Sequence, residues 1–165
     1  MELRRPTEAD KITIMDMVAE FRAAKSPDDG FFGAQDFVYE DWLAEIQAAE
    51  VGLGLRDGFV PYIQFVAFDQ KGKALGFLNL RLRLNKALLE RGGHIGYSIR
   101  PSERGKGYAK EALRQGLRQA SQKNIKSVLV TCSPDNEASR RTILANGGIY
   151  EDTRAGGERY WIDLD

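Results

Sequence analysis

The residues best placed to do chemistry lie between Gly96 and Leu117, in GYSIRPSERGKGYAKEALRQGL. Alternating apolar residues end at Pro101, a short charged loop carries Gly105 and Gly107, and a helical pattern begins. The first N–H groups of a helix lack internal acceptors and carry about half a positive charge, so an uncovered helix start binds phosphate. Gly105 and Gly107 leave the backbone open to such a group, and Arg104, Lys106 and Lys110 surround it with positive charge. Two familiar phosphate loops do not fit. A dinucleotide fingerprint needs a third glycine where Lys110 stands, and a P-loop needs wider glycine spacing and a Lys followed by Ser or Thr. A tight strand-to-helix turn, in which glycine only supplies the backbone angles, stays open beside the anion-binding reading. The row Lys106, Lys110, Arg114 and Arg118 is likewise either a solvated face or a phosphate rail.

Elements that must hold this loop follow from the periodicity around it. Ala109, Ala112, Leu113, Gly116, Leu117 and Ala120 make a stripe of mostly small residues that lets the helix sit close against a sheet. HIGYSIRP reads as the strand before the loop, and the valine-rich IKSVLVTCS as a buried strand after the helix. A helix in DNEASRRTILANGG and strands in IYED and RYWIDL close the chain. Upstream, PYIQFVAFD and ALGFLNLRLRL alternate with period two around a QKGK turn and form a hairpin, followed by NKALLERGG as a polar connection with a helical turn. A short opening strand at Leu3 precedes a helix presenting Ile12, Met15, Val18 and Phe21, with Thr7 at its cap. A second helix runs through VYEDWLAEIQAAE. Between them, KSPDDGFFGAQDF is a loop whose apolar tip, Phe31 and Phe32, is either a plug into the core or a lid.

A chain of 165 residues with 42% hydrophobic content predicts one domain over residues 1–165 with a packed core. No window approaches the roughly 18 apolar residues of a membrane span, and MELRRPTEAD lacks the apolar core of a signal peptide, so a cytoplasmic protein is expected. One cysteine and one histidine predict neither an internal disulfide nor a metal site. The net charge of zero hides an asymmetry. Residues 1–60 carry 13 acids against 6 bases, and residues 61–165 carry 11 acids against 18 bases. Either the signs cluster on solvated faces, or the second half meets an anion and the first a cation.

RGKGYA, Arg104 to Ala109, resembles the Arg/Gln-x-x-Gly-x-Gly/Ala signature of the GNAT superfamily of acyl-CoA-dependent N-acetyltransferases. The resemblance extends to SIRP before the loop, to DNEASRRTILANGG, similar to the family's asparagine-led helix, and to the element order from Leu3 to Leu164. More narrowly, GGHIGYSIRPSERGKGYAKEAL, VLVTCSPDNEASRRTI and NGG resemble a bacterial subgroup of acetyltransferases whose substrates are mostly undefined. It implies an α/β (α+β) fold, a single domain whose central mixed, mostly antiparallel sheet contains two splayed parallel strands and is flanked by about four helices. It further implies acetyl-CoA as co-substrate, no metal, and direct transfer of acetyl to a primary amine in a ternary complex.

Residue by residue, the resemblance implies that Arg104, Gly105, Lys106, Gly107, Tyr108 and Ala109 bind the pyrophosphate of coenzyme A. Tyr97 and Ile99 would offer backbone contacts to the pantetheine arm or thioester, one N–H stabilising the developing oxyanion. Asn136 and Ser139 would hold the cofactor from the next helix, and Asp135 or Asn136 would also suit a helix cap. The tyrosine that serves many members as general acid falls at Ile143, leaving Tyr108 or Tyr150 as stand-ins. A lysine-like amine of pKa about 10.4 is almost wholly protonated at neutral pH, so a base is needed. His94, at the start of the presenting strand, is a candidate relay, or else a strand-end histidine that only hydrogen-bonds; Tyr97 and Glu90 are the other candidates. A non-catalytic acyl-CoA-binding regulator is the rival that the missing acid favours. Zero net charge and the lack of a recognised motif argue against a nucleic-acid-binding module. The acceptor is expected to be an amine, cationic if Asp28, Asp29, Asp36, Glu40, Asp41 and Glu45 attract it, with no nucleic acid or membrane partner and a monomer or homodimer as the assembly.

Overall fold

The central hairpin is buried along almost its whole length, its side chains alternating between two layers of the molecule. In the computed structural model, which describes residues 1–33 and 36–164, β1 (Glu2–Arg4) pairs with β2 (Tyr62–Phe68). From β2, Ile63, Phe65 and Ala67 enter one apolar cluster, and Tyr62, Val66 and Phe68 enter another. Successive strand residues face opposite sides, so a strand covered on both sides must be apolar throughout. β3 (Ala74–Arg81) continues the hairpin and β4 (Ile95–Ile99) forms the edge, giving the antiparallel order β1-β2-β3-β4.

One face of this sheet is covered by α1 (Lys11–Ala23) and α2 (Tyr39–Ala49). α1 buries Ile14, Met17, Val18 and Phe21, while Ile12 is 87% exposed. The expected stripe of threes was half right because a constant step of three drifts off a helix of about 3.6 residues per turn. Thr7 caps a short 3-10 turn, Glu8–Asp10, that leads into α1, and its N–H donates to the Asp10 carboxylate at 2.8 Å. Phe31 acts as a plug, stacked 4.4 Å from Phe77; residues 34–35 of its loop lie outside the described residues.

The segment between β3 and β4 folds into α3 (Lys86–Glu90), where Asn85 Oδ1 accepts the Leu88 N–H at 2.9 Å. It brings the described α-helices to five rather than about four. On the other face of the sheet, α4 (Tyr108–Gln122) buries Ala112, Leu113, Gly116, Leu117 and Ala120. A Cβ on Gly116 would stand 2.9 Å from Leu78, which is how closely this helix packs. β5 (Ser127–Cys132), α5 (Glu137–Ala145), β6 (Ile149–Arg154) and β7 (Gly157–Asp163) follow, the strands forming a second sheet of order β5-β7-β6.

The splayed pair expected of the sheet forms no ladder. Among the described residues every ladder is antiparallel, and β4 and β5 are edge strands of different sheets. They meet where the chain enters β4, through a Gly93–Val130 bridge and the His94 N–H donating to Leu129 O at 2.8 Å. Past that point no ladder joins them, because the space between the two edges is a cleft. No helix among the described residues is long and apolar enough to cross a membrane.

Candidate active site

The loop after β4 is held from both sides. Arg100 is 3% exposed, and its guanidinium donates to Glu20 at 2.9 Å, Asp16 at 2.6 Å and Ala74 O at 3.0 Å. Glu20 also accepts the Ser102 N–H at 2.7 Å, so the turn Pro101–Glu103 is tied to α1. Arg104 reaches back to Ile99 O at 2.9 Å and to Ser26 Oγ at 2.7 Å. Gly105 and Gly107 then take φ of 78° and 82°, the left-handed region that glycine enters without strain. A Cβ on either would meet nothing within 4 Å, so the loop is open.

Gly107 is the cap of α4, and Glu111 N–H is the first to find a partner, Gly107 O at 3.2 Å. Among the described residues the N–H groups from Gly105 to Lys110 have no acceptor. Unpaired donors at the positive end of a 15-residue helix make an anion cradle. Lys110 and Arg141 line the cleft beside it, whereas Lys106 turns to Glu103 at 3.1 Å. The cleft measures about 1040 Å3 and runs from this cradle between β4 and β5.

Along β4, Arg100 N–H turns inward to Leu75 O at 2.9 Å. Because backbone groups alternate between the two edges of a strand, the N–H groups of Tyr97 and Ile99 face outward, toward the cleft. The Tyr97 hydroxyl crosses to α5, 2.8 Å from Ser139 Oγ, and burial pushes its pKa up to about 12. Ser139 N–H donates in turn to Asn136 Oδ1 at 3.1 Å, which caps α5. Asn136 and Ser139 therefore line the cleft with their side chains already engaged. Ile143, one turn further, is fully buried. Cys132 also lines the cleft, but burial and then Glu158 push its thiol up to about 11, leaving it a poor nucleophile at neutral pH.

His94 does not face the cleft. Its Nδ1 accepts the Leu129 N–H at 2.9 Å, and burial, then Arg81, lowers its pKa to about 4. A neutral ring whose acceptor nitrogen is occupied bolts β4 to β5 rather than relaying a proton. Glu90 pairs with Arg154 at 3.7 Å, and the exposed Tyr150 bonds Thr153 at 2.8 Å; neither lines the cleft, whereas Tyr108 does.

Asp28, Asp29, Phe32, Arg81 and Arg91 also line the cleft. The loop carrying the two acids lies across β4. Ser98 Oγ donates to Asp29 O and Gln64 Nε2 to Gly30 O, both at 2.7 Å, and a Cβ on Gly30 would come within 2.5 Å of Gly96 O. Burial, and then Asp28, raises the Asp29 carboxyl above the usual range, opposed by Arg81 and Arg91. The rest of the acidic cluster is elsewhere: Glu40 pairs with Lys11 at 2.8 Å, Glu45 with Arg56 at 2.9 Å, and Asp36, Asp41 and Glu45 line a smaller hollow. Sequence reasoning took Asp29 only as attracting charge and did not single out Arg81. The one visible signal was an acid pair followed by Gly-Phe-Phe.

A bare helix start opening on a cleft between two unpaired strand edges suits an elongated ligand with a phosphate end. A family model for the acetyltransferase (GNAT) domain matches residues 1–149, and the chain belongs to this family, whose members use acetyl-CoA. The ribosomal-protein-S5-alanine acetyltransferase of Vibrio fischeri superposes with TM-score 0.72 at 19% identity, over 99% of this chain and 92% of its own. The yncA protein of Salmonella typhimurium, solved with its cofactor acetyl-CoA, gives TM-score 0.65 at 17% identity, over 99% and 94%. A variant of the spermidine N-acetyltransferase of Vibrio cholerae gives TM-score 0.65 at 16% identity, over 99% and 95%. At these identities the likeness shows the fold. No protein of curated function matches the chain in sequence. Among the described residues no three His, Cys, Asp or Glu side chains gather as a metal site.

Proposed function

We propose that residues 1–165 form one acetyltransferase domain that moves an acetyl group from acetyl-CoA to a primary amine while both are bound. The observation that carries this reading is the run of unpartnered N–H groups from Gly105 to Lys110, opening on a cleft walled by two strand edges. The pyrophosphate lies on that run, with Arg104, Lys110 and Arg141 supplying charge. The outward backbone of Tyr97 and Ile99 receives the pantetheine arm as an added strand would be received, and an N–H of the same edge points at the acyl oxygen. Acetyl-CoA supplies an activated thioester carbonyl. The amine nitrogen bonds to the carbonyl carbon, the C–S bond breaks, the amine loses a proton and the sulfur gains one. Asp29, the cleft carboxylate with raised proton affinity, takes the first proton. Tyr97, which keeps its own at neutral pH, gives the second.

Asp28 and Asp29, the acids of residues 1–60 that line the cleft, also attract the acceptor's ammonium. A second reading, an acyl-CoA-binding regulator without catalysis, is favoured by Ile143 in the acid's place. Calorimetric titration with acetyl-CoA, coenzyme A and ATP, on the native chain and on Gly107→Glu, tests both. Micromolar acetyl-CoA binding that the variant loses supports the cradle. Binding without transfer to any amine would leave the regulator, and no binding by the native chain would remove both readings.

A further inference from the structure

Two guanidinium groups are buried, and both are neutralised. Arg100 holds Asp16 and Glu20, and Arg159, 1% exposed, holds Glu151 and Asp152. Arg81 is different. Its contacts are a long bond from Nη1 to Gly92 O at 3.4 Å and the face of the Phe32 ring 5.5 Å away, and among the described residues it makes no ion pair. Burial holds its pKa down to about 10, with Asp29 opposing. A half-buried cation that lines the cleft without a counter-ion suits a ligand that brings the opposite charge.

The position of Arg81 says which ligand. Its N–H donates to His94 O, and its guanidinium reaches Gly96, three residues and roughly 10 Å along β4 from Ile99. The pyrophosphate, on the loop beyond Ile99, is further away still. The Arg81 guanidinium lies over Gly96, where a Cβ would come within 3.1 Å of Nη1, so β4 leaves room for the group and for something bound on it. Arg91 lines the same cleft, donating to Ala155 O at 2.9 Å and Ser133 Oγ at 3.1 Å, again without a carboxylate partner among the described residues. Asp29 faces both arginines but pairs with neither.

Resting on the acetyltransferase reading above, we propose that the acceptor is a zwitterion of the free amino-acid type, its carboxylate received by Arg81 with Arg91 and its amine facing Asp29. A planar guanidinium matches a carboxylate through two parallel hydrogen bonds, which an amide or ester cannot replace. The two arginines also repel a polyamine, whose charges are all positive.

The test uses the full chain with acetyl-CoA, following thiol release with a panel of free amino acids, their C-terminal amides, and spermidine. Free amino acids should be the acceptors, with kcat/KM at least about tenfold above their amides. Arg81→Gln should raise KM for the best free amino acid by about tenfold or more, move that of its amide less than about twofold, and leave acetyl-CoA affinity unchanged. Arg81→Lys, which keeps the charge and loses the fork, should fall between. Preference for amides or spermidine, or equal loss on both substrates in Arg81→Gln, overturns the inference and leaves the acetyltransferase standing. Acetyl-CoA binding with no transfer to any of the panel overturns the inference, and the enzyme reading falls with it only if a wider screen of amines and protein N-termini also shows no transfer. Absence of acetyl-CoA binding would remove the cradle beneath them.

Discussion

The Tyr97 hydroxyl lies 2.8 Å from Ser139 Oγ, on the turn of α5 before the buried Ile143. A strand residue thereby brings a phenol to the face of the helix from which the family's usual tyrosine is missing. Because burial keeps this phenol protonated, it is suited to donate, and Asp29, whose carboxyl burial also raises, is suited to accept. The two should therefore part company when removed. We expect Tyr97→Phe to lower kcat about a hundredfold with little change in KM, and Asp29→Asn to abolish the acidic limb of the kcat/KM profile. That limb should lie above the range of an ordinary aspartate, since a raised carboxyl loses its basic form earlier as pH falls. Profiles of both variants decide the matter, and an unchanged kcat in Tyr97→Phe would return the phenol to a structural role. Neither assignment was legible from spacing alone. Tyr97 was visible as a strand residue, but its reach to Ser139 depends on where α5 packs. Asp29 depends on Gly30 lying flat against Gly96, a contact 66 positions apart in the chain.

At the scale of elements, the legible parts were those whose periodicity is enforced locally. The hairpin of β2 and β3 was readable as two apolar runs around a QKGK turn, although its strands are buried on both faces rather than one, and α4 because its small residues fall on one stripe. The relation between β4 and β5 was not readable, since nothing in either strand says how far a ladder continues before the edges part. The junction that ends the pairing is His94 with Leu129, and it carries an acid-sensitive signature. The folded-state pKa is lowered to about 4, against about 6.5 in the unfolded chain. Between those values the unfolded chain binds the extra proton, so stability is whole above about pH 6.5 and declines as pH falls, by roughly 1.4 kcal/mol per pH unit. By pH 4 the loss from this one group approaches about 3 kcal/mol. We expect His94→Gln, which cannot protonate, to be less stable than the native chain at pH 7 and to close most of that gap by pH 4.5. Urea unfolding at the two pH values measures it, and parallel losses in both proteins would mean the ring is not held neutral by the fold.

For the whole molecule, the opposed charges of the two halves resolve into fewer functional groups than their numbers suggested. Many of the acids in residues 1–60 are spent on partners such as Arg4, Arg5, Lys11, Arg56 and Arg100, leaving Asp28 and Asp29 at the cleft. The two sheets are joined at the His94 end and part toward the cradle, so a ligand that lies along the cleft touches both, and only in the folded chain. Such binding adds about 2.7 kcal/mol of stability at a hundredfold excess over Kd. For a chain of this size that is roughly 5–10 °C in Tm. Coenzyme A and acetyl-CoA should produce this rise, and Gly107→Glu should lose it. Adenosine diphosphate reaches only the cradle and should give a smaller rise, more strongly weakened by salt because charge carries most of it. Equal shifts from the diphosphate and from coenzyme A would place all the binding on the loop and leave the two strand edges without a ligand to hold.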